Sequence, residues 1–295
     1  MSIAERPASA AFAPADVTRS SGSNFLAGFV CLDAARRDGM TAIYAFCRVA
    51  DDAVDDAPDA ATGAAHLEFW RQELDAAACG RAATPVGRSV QAAMQRFGVA
   101  PGPLADLLDG VATDLRPQPF ADDAELERYC YRVASAVGLA CLPVLGADSA
   151  GARVYAEALG HALQRTNILR DLKGDAADGR CYVPATWLAA AGCERDWLAG
   201  LGPDAAYAPD GAVARIRAQL AAAAAACFAR AHAALRQLPR AERRALVPAR
   251  IMGAIYGELL RVLRSPGVDG RGPRVRIGKG RKAWLALQVF AGVRP

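Results

Sequence analysis

Apolar residues recur every three or four positions along most of this chain, which is the spacing of one face of an α-helix. Leu67, Trp70, Leu74 and Ala78 follow this spacing and predict an amphipathic helix over 63–80. Strand signals are weak, because alternating apolar and polar stretches are rare and runs of β-branched residues are short. Further helices are predicted over 22–54 with a break near 33–39, and over 85–97, 101–115, 122–137, 148–173, 210–238, 241–264 and 281–291.

The joints between these helices are rich in proline and glycine, and none is long enough to mark a domain boundary. We therefore expect one all-α domain of about ten helices over 21–291. The segment 1–20 is rich in Ala, Pro and Ser, which predicts a flexible or loosely attached tail without a signal peptide. The Ala-rich stretch 212–235 is interrupted by arginines, and no stretch approaches the roughly 20 uninterrupted apolar residues of a membrane-spanning helix.

The first candidate for chemistry is an aspartate cluster inside an apolar helix, "RVADDAVDDAPD" at 48–59. Asp51 and Asp55 are neighbours on one helix face, with Cβ atoms about 5–6 Å apart. Like charges this close repel, so the cluster requires a cation to neutralise it. Arg48 can offset part of the charge, since it precedes Asp51 by three positions and Asp52 by four. Asp56 and Asp59 are expected to face solvent at the end of the helix.

A second polar stripe follows about 120 residues later, in "QRTNILRDLKGDAADGRCYVP" at 164–184. Gln164, Asn167, Asp171 and Asp175 are spaced by three, four and four residues, so they lie on one helix face. All four carry oxygen donors, without sulfur or imidazole. Such a set suits Mg²⁺ or Mn²⁺, and Mg²⁺ commonly also takes oxygens from a substrate phosphate.

A single aspartate-rich helix end is more often a solvated face than a metal site. Two such clusters, each inside an apolar helix and each with i, i+4 spacing, favour the metal site. A calcium-binding loop is a poor alternative, because a loop starting at Asp51 has Ala53 at a ligand position and Thr62 in place of the closing Glu. Asp109 and Asp114 remain open between a role in the site and a surface or capping role, and His161 is expected to be structural.

Composition and charge narrow the function further. The chain has 295 residues, a net charge of +4 and a pI near 8.7, which suits an anionic small substrate or an anionic membrane surface but does not indicate nucleic acid. Six cations lie between 271 and 282; we expect one or two to contact phosphate and the rest to lie near a membrane surface. The eight cysteines show no C-x-x-C spacing and predict reduced thiols in the cytoplasm.

Several stretches, in this order, resemble the head-to-head prenyl synthases, which include the squalene and phytoene synthases. The resemblance runs from "SGSNF" at 21–25 to "GRKAWLAL" at 280–287. "AIYAFCRVADDAVDD" resembles the family's first aspartate motif, and the segment 164–184 resembles its second. "YCYRVASAVG" at 129–138 resembles the family's mid-chain helix.

The resemblance implies an isoprenoid-synthase fold, in which the two aspartate motifs face each other across a cavity that holds magnesium ions and two prenyl diphosphates. Its residue roles, carried over position by position, form three groups. The metal and catalytic group would be Asp51, Asp52, Asp55, Asn167, Asp171 and Asp175, with Tyr44 and Tyr256 facing the diphosphates or the carbocation. The diphosphate group would be Arg48, Gln164, Arg170, Arg274 and Lys282, with Ser21, Ser23 and Asn24 from the first block. The prenyl tunnel would be Phe25, Phe29, Val133, Val137, Gly138, Ala156, Gly160 and Leu163.

Within the family, "SGSNF" and the C-terminal "RVRIGKGRKAWLAL" look most like the bacterial presqualene diphosphate synthases of hopanoid biosynthesis. This implies condensation of two farnesyl diphosphates to a cyclopropyl diphosphate, dependent on Mg²⁺ and without NADPH. Phytoene synthase, acting on geranylgeranyl diphosphate, and full squalene synthase remain alternatives. A catalytically inactive helical assembly factor, a head-to-tail prenyl synthase and a terpene cyclase are the rivals from other classes. We expect a cytoplasmic protein, peripheral at the inner membrane face, and leave its oligomeric state open.

Overall fold

The computed structural model describes residues 6–20, 28, 29 and 31–292, and within these residues the regular elements are helical. The predicted all-α fold is thereby confirmed. The α-helices are α1 (Pro14–Ser20), α2 (Ala34–Asp55), α3 (Ala60–Ala78), α4 (Pro85–Phe97), α5 (Gly102–Val111), α6 (Asp123–Cys130), α7 (Ala136–Leu145), α8 (Ala150–Ala177), α9 (Ala185–Ala191), α10 (Asp204–Tyr207), α11 (Ala212–Gln237), α12 (Arg240–Ala245), α13 (Val247–Leu263) and α14 (Lys279–Phe290).

Side-chain caps set the starts of several helices. A capping side chain accepts a hydrogen bond from a backbone N–H that would otherwise lack a partner in the first turn. Asp122 has this role for α6, as its sequence context predicts, with its carboxylate 3.0 Å from the backbone nitrogen of Glu125. The same contact occurs at Asp33, Asp59, Thr84 and Ser149.

The predicted helix break near 33–39 falls at the first residue of that range. Asp33 caps α2, and the helix then continues through Gly39 to Asp55. A Cβ atom at Gly39 would lie 3.0 Å from the side chains of Phe97 and Val144, so this glycine allows α4 and α7 to approach α2 closely. The glycine therefore marks a packing contact rather than the end of a helix.

Other differences from the predicted helices are local. The predicted helix over 122–137 is α6 joined to α7 through a π-helical turn, Tyr131–Ser135. The helix predicted over 241–264 is divided into α12 and α13 at Leu246, and Pro248 lies in the first turn of α13. The short helices α9 and α10 have too few residues to produce a visible hydrophobic period.

The described part of the N-terminal segment is packed, unlike the loosely attached tail that its composition predicts. Residues Ala8–Ala11 form a 3₁₀ turn, and α1 follows it. Ala10 and Val17 are buried in the hydrophobic core, next to α2 and α4. Apolar contact at these two positions offsets the disorder that Ala and Pro favour.

The centre of the fold is the pair α8 and α11, which pack along each other over most of their length. By length and composition, the segment 204–237 is apolar enough to cross a membrane, and half of its most apolar stretch is buried inside the fold. Ile216, Leu220, Ala224 and Phe228 supply buried positions along α11. The small alanines of α11 allow the two helix axes to lie close together.

Candidate active site

The two predicted carboxylate clusters line one polar cavity of about 400 Å³. Asp51 and Asp55 reach it from the last turns of α2, and Asn167, Asp171 and Asp175 reach it from α8. A gap of about 110 residues separates the two groups along the chain. Helix packing thus brings together the two motifs, as their resemblance to the prenyl synthase motifs implies.

One face of α8 connects this polar cavity with an apolar one. Ala156, Gly160 and Leu163 line a second, smaller cavity. Gln164 and Asn167, which follow on α8, line the polar cavity. The face therefore changes from small and apolar residues, through amides, to carboxylates. From residue 160 to residue 171 the helix rises about 16 Å.

Arginines form ion pairs with three of the aspartates in the two motifs. A guanidinium nitrogen of Arg48 lies 2.5 Å from the carboxylate of Asp52. Arg180, just beyond the end of α8, reaches across to Asp55 at 2.7 Å. This second pair links the two aspartate motifs directly.

Asp171 is held between two arginines. Arg170 donates to its two carboxylate oxygens at 2.9 and 2.5 Å, and Arg274 donates to the same two oxygens at 2.6 and 2.9 Å. Burial alone would raise the pKa of Asp171, but these hydrogen bonds and positive charges outweigh it and lower the pKa. Arg170 also contacts Tyr256, which is buried.

The loop between α13 and α14 delivers Arg274 to the cavity, and buried contacts hold this loop in place. Arg217, buried on α11, donates to the carbonyls of Leu263 and Val268 at 3.1 and 3.0 Å. Lys173 on α8 donates to the carbonyl of Arg271 at 2.8 Å. The position of Arg274 is therefore set by contacts that involve α8 and α11.

Two cavity carboxylates have strongly raised pKa values. Burial, together with the negative charge of Asp55, raises the pKa of Asp51 to about 7. Burial and the charge of Asp171 raise the pKa of Asp175 to about 7. Asp114 contributes to both shifts, so it lies near both clusters. The cavity thus contains more negative charge than its arginines neutralise.

Asp114, which the sequence left open between a role in the site and a surface or capping role, lines the polar cavity together with two tyrosines that sequence reasoning missed. Asp114 accepts hydrogen bonds from the hydroxyls of Tyr182 at 2.8 Å and Tyr129 at 3.2 Å. The two rings stack with centroids 5.0 Å apart, and Phe120 packs against both. Tyr129 follows the apolar period of its helix, and Tyr182 lies in a loop, so neither had a periodic signal that marked it as a cavity residue.

For Asp109, the sequence left a role in the site and a surface role open, and the structure favours the surface role. Its carboxylate forms an ion pair with Arg71 at 2.6 Å. Asp56 and Asp59 are exposed, as expected. Asp52 lies outside the lining of the polar cavity, because it is rotated by about 100° from Asp51 around the helix. The metal-site role that the resemblance implies for Asp52 stays a prediction.

The donor chemistry of the polar cavity fits Mg²⁺. No three His, Cys, Asp or Glu side chains in the described part of the chain converge closely enough to hold a metal ion on their own. Mg²⁺ commonly binds one or two carboxylates and takes its remaining oxygens from water and substrate phosphates. Asp51, Asp55, Asn167, Asp171 and Asp175 offer oxygen donors from both helices, which suits an ion shared with a bound diphosphate.

The apolar cavity, of about 90 Å³, contains most of the predicted tunnel residues. Phe29, Val137, Gly138, Ala156, Gly160 and Leu163 all line it, together with Met252 and Ala249 of α13.

Gly160 also has a packing role, in addition to its predicted place in the prenyl tunnel. A Cβ atom at Gly160 would lie 2.5 and 2.6 Å from the backbone Cα and N of Ser135. Ser135 ends the π-helical turn, and its hydroxyl donates to the carbonyl of Glu157 at 2.8 Å. The glycine therefore allows direct contact between α8 and this turn, in addition to lining the cavity.

The remaining predicted residues lie elsewhere. Val133 packs against Gly110 of α5 and lies outside the lining of the apolar cavity, and its tunnel role stays a prediction. Tyr44 packs against the core one turn before Arg48, and Lys282 is on α14; neither lines the two cavities. Ser21, Ser23, Asn24 and Phe25 lie outside the described residues.

Comparison with known proteins agrees with this geometry. A sequence profile of the squalene/phytoene synthase family matches residues 18–281. A presqualene diphosphate synthase of Zymomonas mobilis is 33% identical over 93% of this chain and 91% of its own. A phytoene synthase of Mycobacterium bovis is 32% identical over 93% of this chain and 88% of its own.

The fold also resembles solved structures. A crystal structure of a dehydrosqualene synthase in complex with a ligand superposes with a TM-score of 0.81 and 26% sequence identity. The match covers 95% of this chain and 94% of that one. The likeness therefore extends over nearly the whole chain.

Proposed function

The chain belongs to the squalene/phytoene synthase family and is a prenyltransferase, and we propose that it joins two farnesyl diphosphates head to head to form presqualene diphosphate. The observation that carries this proposal is the single face of α8 that runs from the carboxylates of the polar cavity to the small residues of the apolar cavity. A substrate with an anionic head and an apolar tail matches this order. One diphosphate is released for each product molecule.

In this proposal the diphosphates occupy the polar cavity. Bound Mg²⁺, with Mn²⁺ as the alternative, would neutralise the charge that develops on the leaving diphosphate. Asp51, Asp55, Asn167, Asp171 and Asp175 would hold it, and Asp52 would act from outside the lining through Arg48. Arg48, Arg170 and Arg274 have guanidinium groups that match phosphate oxygens as well as carboxylates.

The chemistry then requires a cation to form and survive. The C–O bond of one allylic diphosphate breaks, and the diphosphate keeps the electron pair. The double bond of the second substrate attacks the resulting cation, and loss of a proton closes the cyclopropane ring. The stacked rings of Tyr129 and Tyr182 offer their faces to positive charge, while the apolar cavity excludes water.

The choice of the fifteen-carbon substrate rests on the comparisons and on the terminal motifs rather than on the cavity. The presqualene diphosphate synthase and the phytoene synthase relatives are 33% and 32% identical to this chain. Phytoene synthesis from geranylgeranyl diphosphate is therefore the second candidate. We expect no need for NADPH, because the proposed reaction stops at the cyclopropyl diphosphate and includes no reduction.

The deciding experiment incubates the purified protein with Mg²⁺ and either farnesyl or geranylgeranyl diphosphate, with and without NADPH. Organic extracts are analysed by mass spectrometry before and after phosphatase treatment. The proposal predicts a thirty-carbon alcohol that phosphatase releases and that does not depend on NADPH. A thirty-carbon hydrocarbon formed only with NADPH would instead assign full squalene synthesis, and a forty-carbon hydrocarbon would assign phytoene synthesis.

An inactive assembly factor would give no product with either substrate. The matched control is the double variant Asp51→Asn/Asp171→Asn, which should fold normally and lack turnover. If this variant turned over farnesyl diphosphate at the normal rate, the carboxylate cavity would not be the active site.

A further inference from the structure

The C-terminal helix α14 presents an apolar face to the outside of the protein. Trp284, Leu287 and Phe290 are 50%, 56% and 50% exposed. Leu285 and Val289, on the other side of the helix, are buried against the body of the protein. The helix therefore packs with one apolar face and leaves a second one uncovered in the described structure.

The exposed face carries no charge along its whole length. Positions 280, 283, 284, 287, 290 and 291 fall within one arc of about 120° on a helical wheel. Gly280, Ala283 and Ala291 occupy the positions between the three large side chains. A helix on the surface of a globular protein normally turns charged or polar residues to water, so this arrangement indicates a partner other than water.

The charges around this face have one sign. Between residues 271 and 295 the chain has seven Lys or Arg residues and no Asp or Glu. Three of the seven have acidic partners elsewhere in the protein: Arg271 pairs with Asp204, Arg274 with Asp171 and Arg281 with Glu258. Arg276 and Lys279 are exposed and have no ion-pair partner in the described part of the chain.

We propose that α14 docks this protein on an anionic lipid bilayer. Trp284, Leu287 and Phe290 would enter the boundary between headgroups and acyl chains, and Arg276 and Lys279 would contact the anionic headgroups. Interfacial helices combine these features: Trp, Phe and Leu on the buried face and cations along its edge. The positive charge complements an anionic surface specifically, and a neutral bilayer would use only the three apolar side chains.

A second copy of the chain is a weaker match for this face. Half-exposed aromatic and leucine side chains offer about 100 Å² each, or about 300 Å² together. A stable protein interface requires about 800 Å² from each partner. Two copies meeting through this face would also bring together two strongly basic segments, which repel each other.

The placement of α14 connects the proposed bilayer contact to the polar cavity. Arg274, which lines that cavity, precedes the first residue of α14 by five positions. Five residues span at most about 17 Å. A bilayer at α14 would therefore lie close to the site at which an amphiphilic substrate binds, although the proposal of docking does not depend on which substrate that is.

The test is vesicle flotation of the full-length protein without substrate. Vesicles of phosphatidylcholine alone are compared with vesicles that also contain phosphatidylglycerol. The test variant is Trp284→Ser/Leu287→Ser/Phe290→Ser. The matched control is Phe12→Ser/Val154→Ser/Leu201→Ser, which removes three exposed apolar side chains outside α14. Thermal melting confirms that all variants fold.

We expect wild type and the control variant to float with the anionic vesicles, and the α14 variant to lose at least about tenfold in bound fraction, or about 1.4 kcal/mol. Raised salt should weaken wild-type binding, because it screens the charges. Wild-type tryptophan fluorescence should shift to the blue on binding, and Trp284→Phe should remove that shift.

Three outcomes would overturn the proposal. Wild type could fail to float with either vesicle, or the α14 variant could float as well as wild type. Alternatively, wild type could sediment as a dimer that the α14 variant cannot form while neither binds vesicles, which would assign the face to a second copy. Each outcome leaves the proposed reaction intact, since product formation is measured separately in detergent solution.

Discussion

The polar and apolar cavities share the helix α8, yet they are built on different principles. The polar cavity collects charged residues from α2, α8, the segment after α8 and the loop before α14, and many of these side chains are partly exposed. The apolar cavity is lined mainly by buried and half-buried residues of α7, α8 and α13. The polar residues can therefore change with little effect on folding, whereas the apolar residues hold the helices together.

The largest expected effect is on the polar side, and it separates two adjacent aspartates. Asp51→Asn should reduce turnover by about 10³-fold or more, because it removes a carboxylate that would hold the Mg²⁺ needed to neutralise the leaving diphosphate. Asp52→Asn should have a clearly smaller effect, since Asp52 lies outside the cavity and pairs with Arg48. Steady-state kinetics with farnesyl diphosphate measure both.

Neither substitution should lower the melting temperature noticeably, because each removes a carboxylate from a repulsive cluster. Equal losses of turnover for the two variants would mean that the cavity lining does not distinguish them. A large loss of stability for Asp51→Asn would contradict the division between the two cavities.

The next largest effect is on stability, and it concerns the apolar cavity. It compares two glycines of α8, one that lines this cavity and one that does not. Gly160→Ala should destabilise the fold by about 1–3 kcal/mol, because its Cβ would meet the backbone of Ser135. Gly174→Ala should instead stabilise it by about 0.5–1 kcal/mol, since nothing lies within 4 Å of a Cβ there and alanine favours the helix. Urea denaturation measures the change in the free energy of unfolding for each variant. Changes of the same sign in the two variants would argue against the close contact at Ser135.

A third prediction concerns the arginine that only the C-terminal loop brings to the polar cavity. Arg274→Gln should raise the KM for farnesyl diphosphate by about tenfold, which corresponds to about 1.4 kcal/mol. The reason is the loss of a guanidinium group that can release Asp171 and bind the diphosphate instead. Arg276→Gln, two residues away and outside the cavity lining, is the control and should leave KM unchanged in detergent solution. If both variants behaved alike, the loop would contribute only general charge.

The smallest expected effect is on the pH dependence of stability. It concerns His161, on the face of α8 that turns away from both cavities. Burial and the positive charges of Arg165 and Arg230 lower the pKa of His161 to about 4, although Asp123 opposes the shift. The unfolded chain takes up this proton near pH 6.5, so the stability that the neutral imidazole contributes is present above that pH and is lost between about 6.5 and 4.

Lowering the pH from 7 to 5 should therefore destabilise wild type more than His161→Gln, by on the order of 1 kcal/mol. Urea denaturation at the two pH values measures this difference. An identical pH dependence for the two proteins would show that His161 already titrates normally in the folded state.

Much of this protein follows from short-range patterns in the chain. The helical period predicts most of the helices, and i, i+4 spacing predicts that Asp51 joins Asp55 and that Gln164, Asn167, Asp171 and Asp175 share one face. The oxygen chemistry of those residues and their order also indicate the family. These features were predictable because the position of a residue around its own helix depends only on its neighbours in sequence.

Tertiary structure decided which distant residues complete the site. Asp114 and Tyr182 come from a turn and a loop, and helix packing alone determines that they reach the carboxylates. For Arg274, only the family resemblance indicated a place in the site. Packing also decided that Gly160 contacts Ser135 and that Val133 faces α5. Sequence determined the faces of single helices, because local geometry sets them. The pairing of those faces depends on contacts between residues far apart along the chain, which no local period encodes.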